Sequence, residues 1–108
     1  MLDNLDDLAL DDLPFGVVAL DEGGKVVRFN RTEQERSGIQ RWRALGRSFF
    51  KDIAPGDKNS PLAAHIDAFL AGRAAGTIDH TFERRTGADT TRIELERGDH
   101  RVYLKICR

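Results

Sequence analysis

The sequence predicts an α+β domain built on one antiparallel sheet. Three observations lead there. Short apolar runs bounded by turn residues open the chain, helix-period patterns fill its middle, and after Gly76 the period changes to two up to the C-terminus. Strands and helices segregated in this way favour an antiparallel sheet over alternating βαβ units. At 108 residues the chain is the size of one domain, and burying about 60–65% of its unfolded surface provides one core.

Leu2, Leu5, Leu8 and Leu10 or Leu13 recur at near-helical spacing between aspartates, which predicts a short amphipathic helix over residues 2–12. Pro14 ends it, because proline lacks an N–H and biases its predecessor toward extended backbone. Residues 1–13 are thus a cap or dimer element, and 14–108 form the domain proper. Phe15 to Leu20 is too short for a helix and rich in strand formers, and Asp21-Glu22-Gly23-Gly24 turns the chain into Val26 to Asn30, giving a β-hairpin. Arg31 to Ser37 is a polar helical segment stopped by Gly38. Short helices and turns continue to Pro55.

Asn59 or Ser60 caps a helix that opens at Pro61, where a missing N–H costs little. Leu62, Ile66, Phe69, Leu70 and Arg73 share one face of this helix of about twelve residues. Three strands follow. Ile78, His80 and Phe82 alternate with polar residues, as do Ile93 and Leu95, and Val102, Leu104 and Ile106 alternate with Tyr103 and Lys105. Thr86-Gly87-Ala88-Asp89 and Gly98-Asp99 read as the turns between them.

A net charge of −1 gives no global attraction to nucleic acid, yet the first fourteen residues hold five aspartates and no basic side chain, which leaves the rest basic. The late arginines fall on alternating strands and read as a solvated sheet face, so no nucleic-acid partner is expected. Cys107 is the only cysteine, which excludes an internal disulfide and suits a reducing cytoplasm. No apolar run approaches eighteen residues and no His-x-x-x-His or Cys-x-x-Cys pair occurs, so neither a membrane span nor a transition-metal site is expected.

The order helix, two strands, short helices, three strands is also the order of the PAS fold. Leu13-Pro14-Phe15-Gly16, Phe29-Asn30 and the stretch Gly46-Arg47-Ser48-Phe49-Phe50-Lys51-Asp52-Ile53-Ala54-Pro55 resemble the photoactive yellow proteins, a PAS family, and the resemblance runs from about Leu10 to Arg108. It implies a five-stranded antiparallel sheet, with an N-terminal helix and several short helices on one face, enclosing a small-molecule pocket. It also implies a site. In that family the residue after the proline is a cysteine that carries a cinnamoyl chromophore as a thioester; here it is Gly56, which has no side chain to acylate. The tyrosine, glutamic acid and threonine that hold the chromophore's phenolate match Phe29, Glu33 and Ser37, and Ile39 falls where the family has a gating arginine. The hydroxyl donor and the anchor are lost together, so cinnamoyl photochemistry is not expected.

Glu33 has two readings: a carboxyl buried against Phe29, resisting ionisation and donating a hydrogen bond, or a surface carboxylate among Arg31, Glu35 and Arg36. Ser37 is either a pocket hydroxyl or a helix-end serine serving its own backbone. His65 lies on the helix from which haem-binding PAS sensors take their iron ligand, though away from the centre of its apolar stripe, where a surface histidine is the simpler reading. Cys107 lacks a base partner and reads as a strand residue. Trp42, between Arg41 and Arg43, either roofs the core or anchors a protein contact.

These readings converge on a non-catalytic sensory or interaction module in signal transduction, acting through protein contacts, with a small noncovalent ligand and no intrinsic cofactor. The competing expectations are a haem or flavin sensor with His65 as the haem ligand, and a ligand-free dimerisation adaptor. The sequence ends just after the last strand, which fits either a stand-alone module or a piece cut from a larger protein; the expected partners are a kinase, a response regulator or a transcription factor, together with a second copy of the chain.

Overall fold

The computed structural model describes residues 1–54, 60–84 and 87–107, with backbone alone at 60, 82–84 and 87–89. A 3-10 turn at Leu2–Asn4 is followed by α1 (Asp7–Asp11), the hairpin strands β1 (Gly16–Asp21) and β2 (Val26–Phe29), then α2 (Arg31–Ser37) and α3 (Arg41–Ala44). A single π-type turn at Phe49–Ile53, closed by Ala54 N–H donating to the Phe49 carbonyl at 2.7 Å, leads toward α4 (Ser60–Leu70). Strands β3 (Thr77–Arg84), β4 (Gly87–Gly98) and β5 (Arg101–Cys107) complete one five-stranded antiparallel sheet, in the order β2-β1-β5-β4-β3. This is the predicted α+β architecture.

Both faces of the sheet are covered at β1 and β5, while Thr77, Asp79 and Thr81 of β3 and Arg92 of β4 leave the outer face there exposed. Val18, Leu20, Val26, Phe29, Ile93, Leu95, Val102, Leu104 and Ile106 pack under the helices on the inner face, with Phe49, Leu62 and Ile66. Val17, Ala19 and Tyr103 on the outer face pack against Leu2 and Leu10, with Leu5 at the margin. The apolar run of β1 reads as a strand buried on both sides for this reason. Tyr103, which looked like the polar alternate of β5, is fully buried because the N-terminal segment lies over it.

The N-terminal segment is not the continuous helix its leucine spacing predicts. Asp6 caps a new helix, its Oδ1 accepting from Ala9 N–H at 2.8 Å, so the chain breaks between Leu5 and Asp6. Aspartate prefers that capping position to a helix interior. Two turns also shift. Pairing of β3 with β4 runs on to Arg84↔Gly87, so Gly87, Ala88 and Asp89 belong to the strand. At the β4–β5 turn the left-handed residue is His100, φ 57°, while Gly98 pairs with Arg101. Glycine is needed at 98 for closeness instead: a Cβ there would lie 2.7 Å from the Tyr103 ring and 3.0 Å from Asp3. Helix α2 ends as predicted at Gly38, φ 76°. Helix α4 stops at Leu70, before Arg73, and the cap proposed at Asn59 lies outside the described residues.

Candidate functional site

Buried polar side chains stand at the end of β2 and on the inner face of the sheet. Asn30, 1% exposed, stands where β2 passes into α2 and uses every polar atom of its amide. Its Oδ1 accepts from Val17 N–H at 2.9 Å and from Glu33 N–H at 3.0 Å, capping α2, while Nδ2 donates to the carbonyls of Leu10 at 2.8 Å and Phe15 at 3.1 Å. One side chain thereby joins α1, β1 and α2. Thr32 adds a bond from Oγ1 to the Leu13 carbonyl at 2.6 Å.

This cap sets the place of Glu33, which is 5% exposed. Its carboxyl lies over Gly16 so closely that a Cβ at that position would sit 3.1 Å from Cδ and nearer still to Oε1. Gly16 shares the inward alternation of Val18 and Leu20, so the Glu33 carboxyl faces the inner side of the sheet. Phe29 is buried in the same core, and Ile39 packs at its margin. Ser37 is turned to its own backbone, Oγ accepting from Ile39 N–H at 3.1 Å. Gly56 lies outside the described residues.

Farther along the sheet, His80 on β3 is paired in register with Thr91 on β4, one step beyond Ile78↔Ile93. His80 is 6% exposed and Thr91 1%. Desolvation holds the His80 imidazole below its ordinary basicity, favouring the neutral ring. The Thr91 hydroxyl has no hydrogen-bond partner among the described residues, an expensive state for a buried polar group. The alternation of His80 with Ile78 and Phe82 was readable in the sequence; Thr91, in the run Thr90-Thr91-Arg92, resembled any polar strand residue.

The other candidates fall away from this face. His65 Nε2 lies 2.7 Å from the Ala75 carbonyl, the geometry of a donated hydrogen bond that pins α4 to the chain beyond it. A haem ligand needs a ring nitrogen free to reach iron, and this bond engages Nε2 alone of the two. Burial first, and Glu94 second, push the Cys107 thiol up, which suits a strand residue better than a nucleophile. Trp42 does not roof the core: it is 77% exposed, standing beside an open cleft of about 520 Å³ with Arg43 and Arg47 at its rim and Ile39 and Ile53 in its lining. Among the described residues no group of three or more His, Cys, Asp or Glu could hold a metal ion, and no helix is long and apolar enough to cross a membrane.

The outer face is tied down by charge. Arg28 donates to the Leu5 carbonyl at 2.6 Å, the Leu2 carbonyl at 3.3 Å, Asp7 at 3.0 Å and the Tyr103 hydroxyl at 3.0 Å. Tyr103 in turn donates to Asp3 at 2.7 Å, and Asp3 accepts from Asp99 N–H at 2.8 Å. The Asp99 amide and then the Tyr103 hydroxyl hold the Asp3 carboxyl below the usual carboxylate range.

A five-stranded sheet in this order, with short helices on its inner face and the N-terminal segment over β1 and β5 on its outer face, defines a PAS sensory module. The model of the PAS fold matches residues 4–101, and the chain belongs to that family. Within it, the chain is similar to the photoactive yellow proteins. It is 35% identical over 80 residues to that of Rhodothalassium salexigens, spanning 74% of this chain and 62% of the relative, so the chain covers less than two thirds of that protein. It is 30% identical over 87 residues to that of Rhodobacter capsulatus, spanning 80% of this chain and 70% of the relative. The photoactive yellow protein domain of a sensor histidine kinase from Rhodospirillum centenum superposes with a TM-score of 0.84 at 25% identity, covering 98% of this chain and 96% of that one. A quorum-sensing receptor PAS domain of Cronobacter turicensis, solved in complex with BDSF, shares the fold, with a TM-score of 0.74 at 17% identity over 89% of this chain and 94% of that one.

Proposed function

We propose that this chain is a non-catalytic PAS sensor that holds a small noncovalent ligand against the inner face of its sheet and signals in the cytoplasm by changing its protein contacts. The observation that carries the reading is the buried Thr91 hydroxyl, unpartnered among the described residues, directly across from His80, whose imidazole burial makes less basic. An acceptor or hydroxyl on a ligand would satisfy it. Glu33, held inward by Asn30, is the second polar contact, with Phe29 and Ile39 as apolar wall. Gly56 and Phe29 leave no anchor and no phenol donor for a cinnamoyl thioester.

Ligand occupancy reaches the outer face through Asn30, which bonds both the first turn of α2 and the Leu10 carbonyl of α1. A ligand that prefers one setting of this joint shifts the population of docked and released N-terminal segments by its differential affinity. The partner is a kinase, a response regulator or a transcription factor, engaged by a homodimer; the similar domain of a sensor histidine kinase supports the first of these. The test is native mass spectrometry of the protein as purified, with Thr91→Val alongside. A ligand mass released on denaturation and lost in Thr91→Val is expected. A bare protein that also gains no thermal stability from any compound of a carbonyl- and hydroxyl-bearing aromatic or fatty-acid panel would leave the ligand-free adaptor.

A further inference from the structure

The open cleft beside α3 gathers positive charge and aromatic surface in one place. Its volume of about 520 Å³ falls in the range of about 300–1,000 Å³ typical of small-ligand sites. Trp42 and Arg43 reach it from α3, Arg47 from the turn that follows, Asp52 and Ile53 from the π-type turn, and Ile39 from the connection between α2 and α3. The backbone at Arg47 is fixed to the sheet. Gly46, at φ 81°, donates its N–H to the Val26 carbonyl at 2.8 Å, and the Arg47 carbonyl accepts from Val26 N–H at 2.9 Å.

Arg43 and Arg47 are exposed, and neither guanidinium has a hydrogen bond or an ion pair among the described residues. The neighbouring cleft, which Trp42 also lines, differs in this respect: its Arg41 and Arg31 are paired with Asp11 at 2.6 Å and Asp12 at 3.9 Å. Asp52 forms no ion pair with either free arginine among the described residues. One of its oxygens, Oδ2, accepts from Ser48 N–H at 3.1 Å, which orients the carboxylate and leaves Oδ1 as an acceptor.

Each of these groups matches a different part of a ligand. Two unpaired guanidiniums call for an anion, and their donor fork suits phosphate. The Trp42 indole, 77% exposed, offers a flat face on which a ring can stack. Ile39 and Ile53, both half-buried, add apolar wall. The Asp52 carboxylate accepts from N–H donors and disfavours a second anionic group beside it.

We infer that this cleft binds a small anion carrying a flat ring with N–H donors, the chemistry of a purine nucleotide. Its phosphate lies between Arg43 and Arg47, its ring against Trp42, and an amino group of the ring toward Asp52. An anion without the ring leaves Trp42 in water, and an uncharged ring leaves both arginines unmatched. The inference goes beyond the proposed function and does not depend on it, since the inner-face site centred on Thr91 shares only Ile39 with this cleft.

Trp42 is the only tryptophan, so the nitrogen-15-labelled protein has a single indole N–H resonance, and it reports this cleft. Titration with adenosine 5′-monophosphate should shift that resonance saturably, with a dissociation constant of about 1 mM or tighter. Adenosine and inorganic phosphate, each bearing half of the chemistry, should bind at least about tenfold more weakly. Arg43→Gln and Arg47→Gln should each raise the dissociation constant for the nucleotide at least about tenfold, with unchanged circular dichroism because both side chains are exposed. Thr91→Val should leave the titration as it is. No saturable shift with the nucleotide overturns the inference, and so does a shift that survives both arginine variants. Loss of nucleotide binding in Thr91→Val would place the nucleotide on the inner face and overturn the cleft as its site. A protein that carries no inner-face ligand in native mass spectrometry yet shows the arginine-dependent shift supports the inference while the proposed sensor ligand fails.

Discussion

Asn30 shows how one side chain can join three elements, α1, β1 and α2. Its four hydrogen bonds leave no polar atom of the side chain unsatisfied, in a place with no access to water. Alanine would strand the Val17 and Glu33 amides and the Leu10 carbonyl, each costing about 1–3 kcal/mol if it stays buried and unpaired. Asn30→Ala should therefore lower stability by about 3 kcal/mol or more in urea denaturation. Asn30→Asp keeps the acceptor but turns a carboxylate toward two carbonyls, so it should restore little. Thr91 predicts the opposite sign. Valine replaces a hydroxyl unpartnered among the described residues with a methyl of similar shape, and Thr91→Val should stabilise the ligand-free protein by about 1 kcal/mol, while abolishing ligand retention. A destabilised Thr91→Val would mean that the hydroxyl is satisfied inside the protein and does not await a ligand.

Among the elements, the strands were legible because their periodicity is written in side chains: β5 alternates inward Val102, Leu104 and Ile106, and the run from Phe15 to Leu20 is apolar throughout because β1 is covered on both faces. The N-terminal segment was only half legible. Its leucine spacing suggests one helix, yet Asp6 can cap as well as continue, and what decides is a set of distant partners: Arg28, Glu96, Asp99 and Tyr103. Sequence spacing cannot show contacts made a hundred residues away. The same partners make the segment's docking testable. Arg28→Ala removes its bonds to Leu2, Leu5, Asp7 and Tyr103, so hydrogen exchange should rise across residues 2–10 while β1, β4 and β5 keep their protection. Acid should act likewise. Because the Asp3 carboxyl is held below its ordinary value, its contribution is complete above that value and is lost as pH falls through the lower, folded one. Release of the segment at mildly alkaline pH instead would assign the docking to another group.

Across the whole molecule, the uneven charge of the sequence is largely resolved within one copy. The acidic first dozen residues lie against Arg28, Arg31 and Arg41, so a chain with a net charge of −1 carries its asymmetry as local ion pairs. The fold was legible at this scale because periodicity and family resemblance agree, whereas the site was legible only where the resemblance supplied positions. The resemblance pointed to Glu33, whose burial over Gly16 is observed, whereas nothing in the quoted motifs pointed to the buried Thr91. The resemblance also marks what the molecule should lack. Its only thiol, Cys107, is on β5, and burial and Glu94 disfavour the thiolate that would attack an acyl carbon. Incubation with an activated coumaric acid should therefore leave the protein colourless, with the mass of the unmodified chain. A stable yellow adduct that persists in Cys107→Ser would locate an acyl acceptor elsewhere in the chain and return the protein to the photochemistry of its relatives.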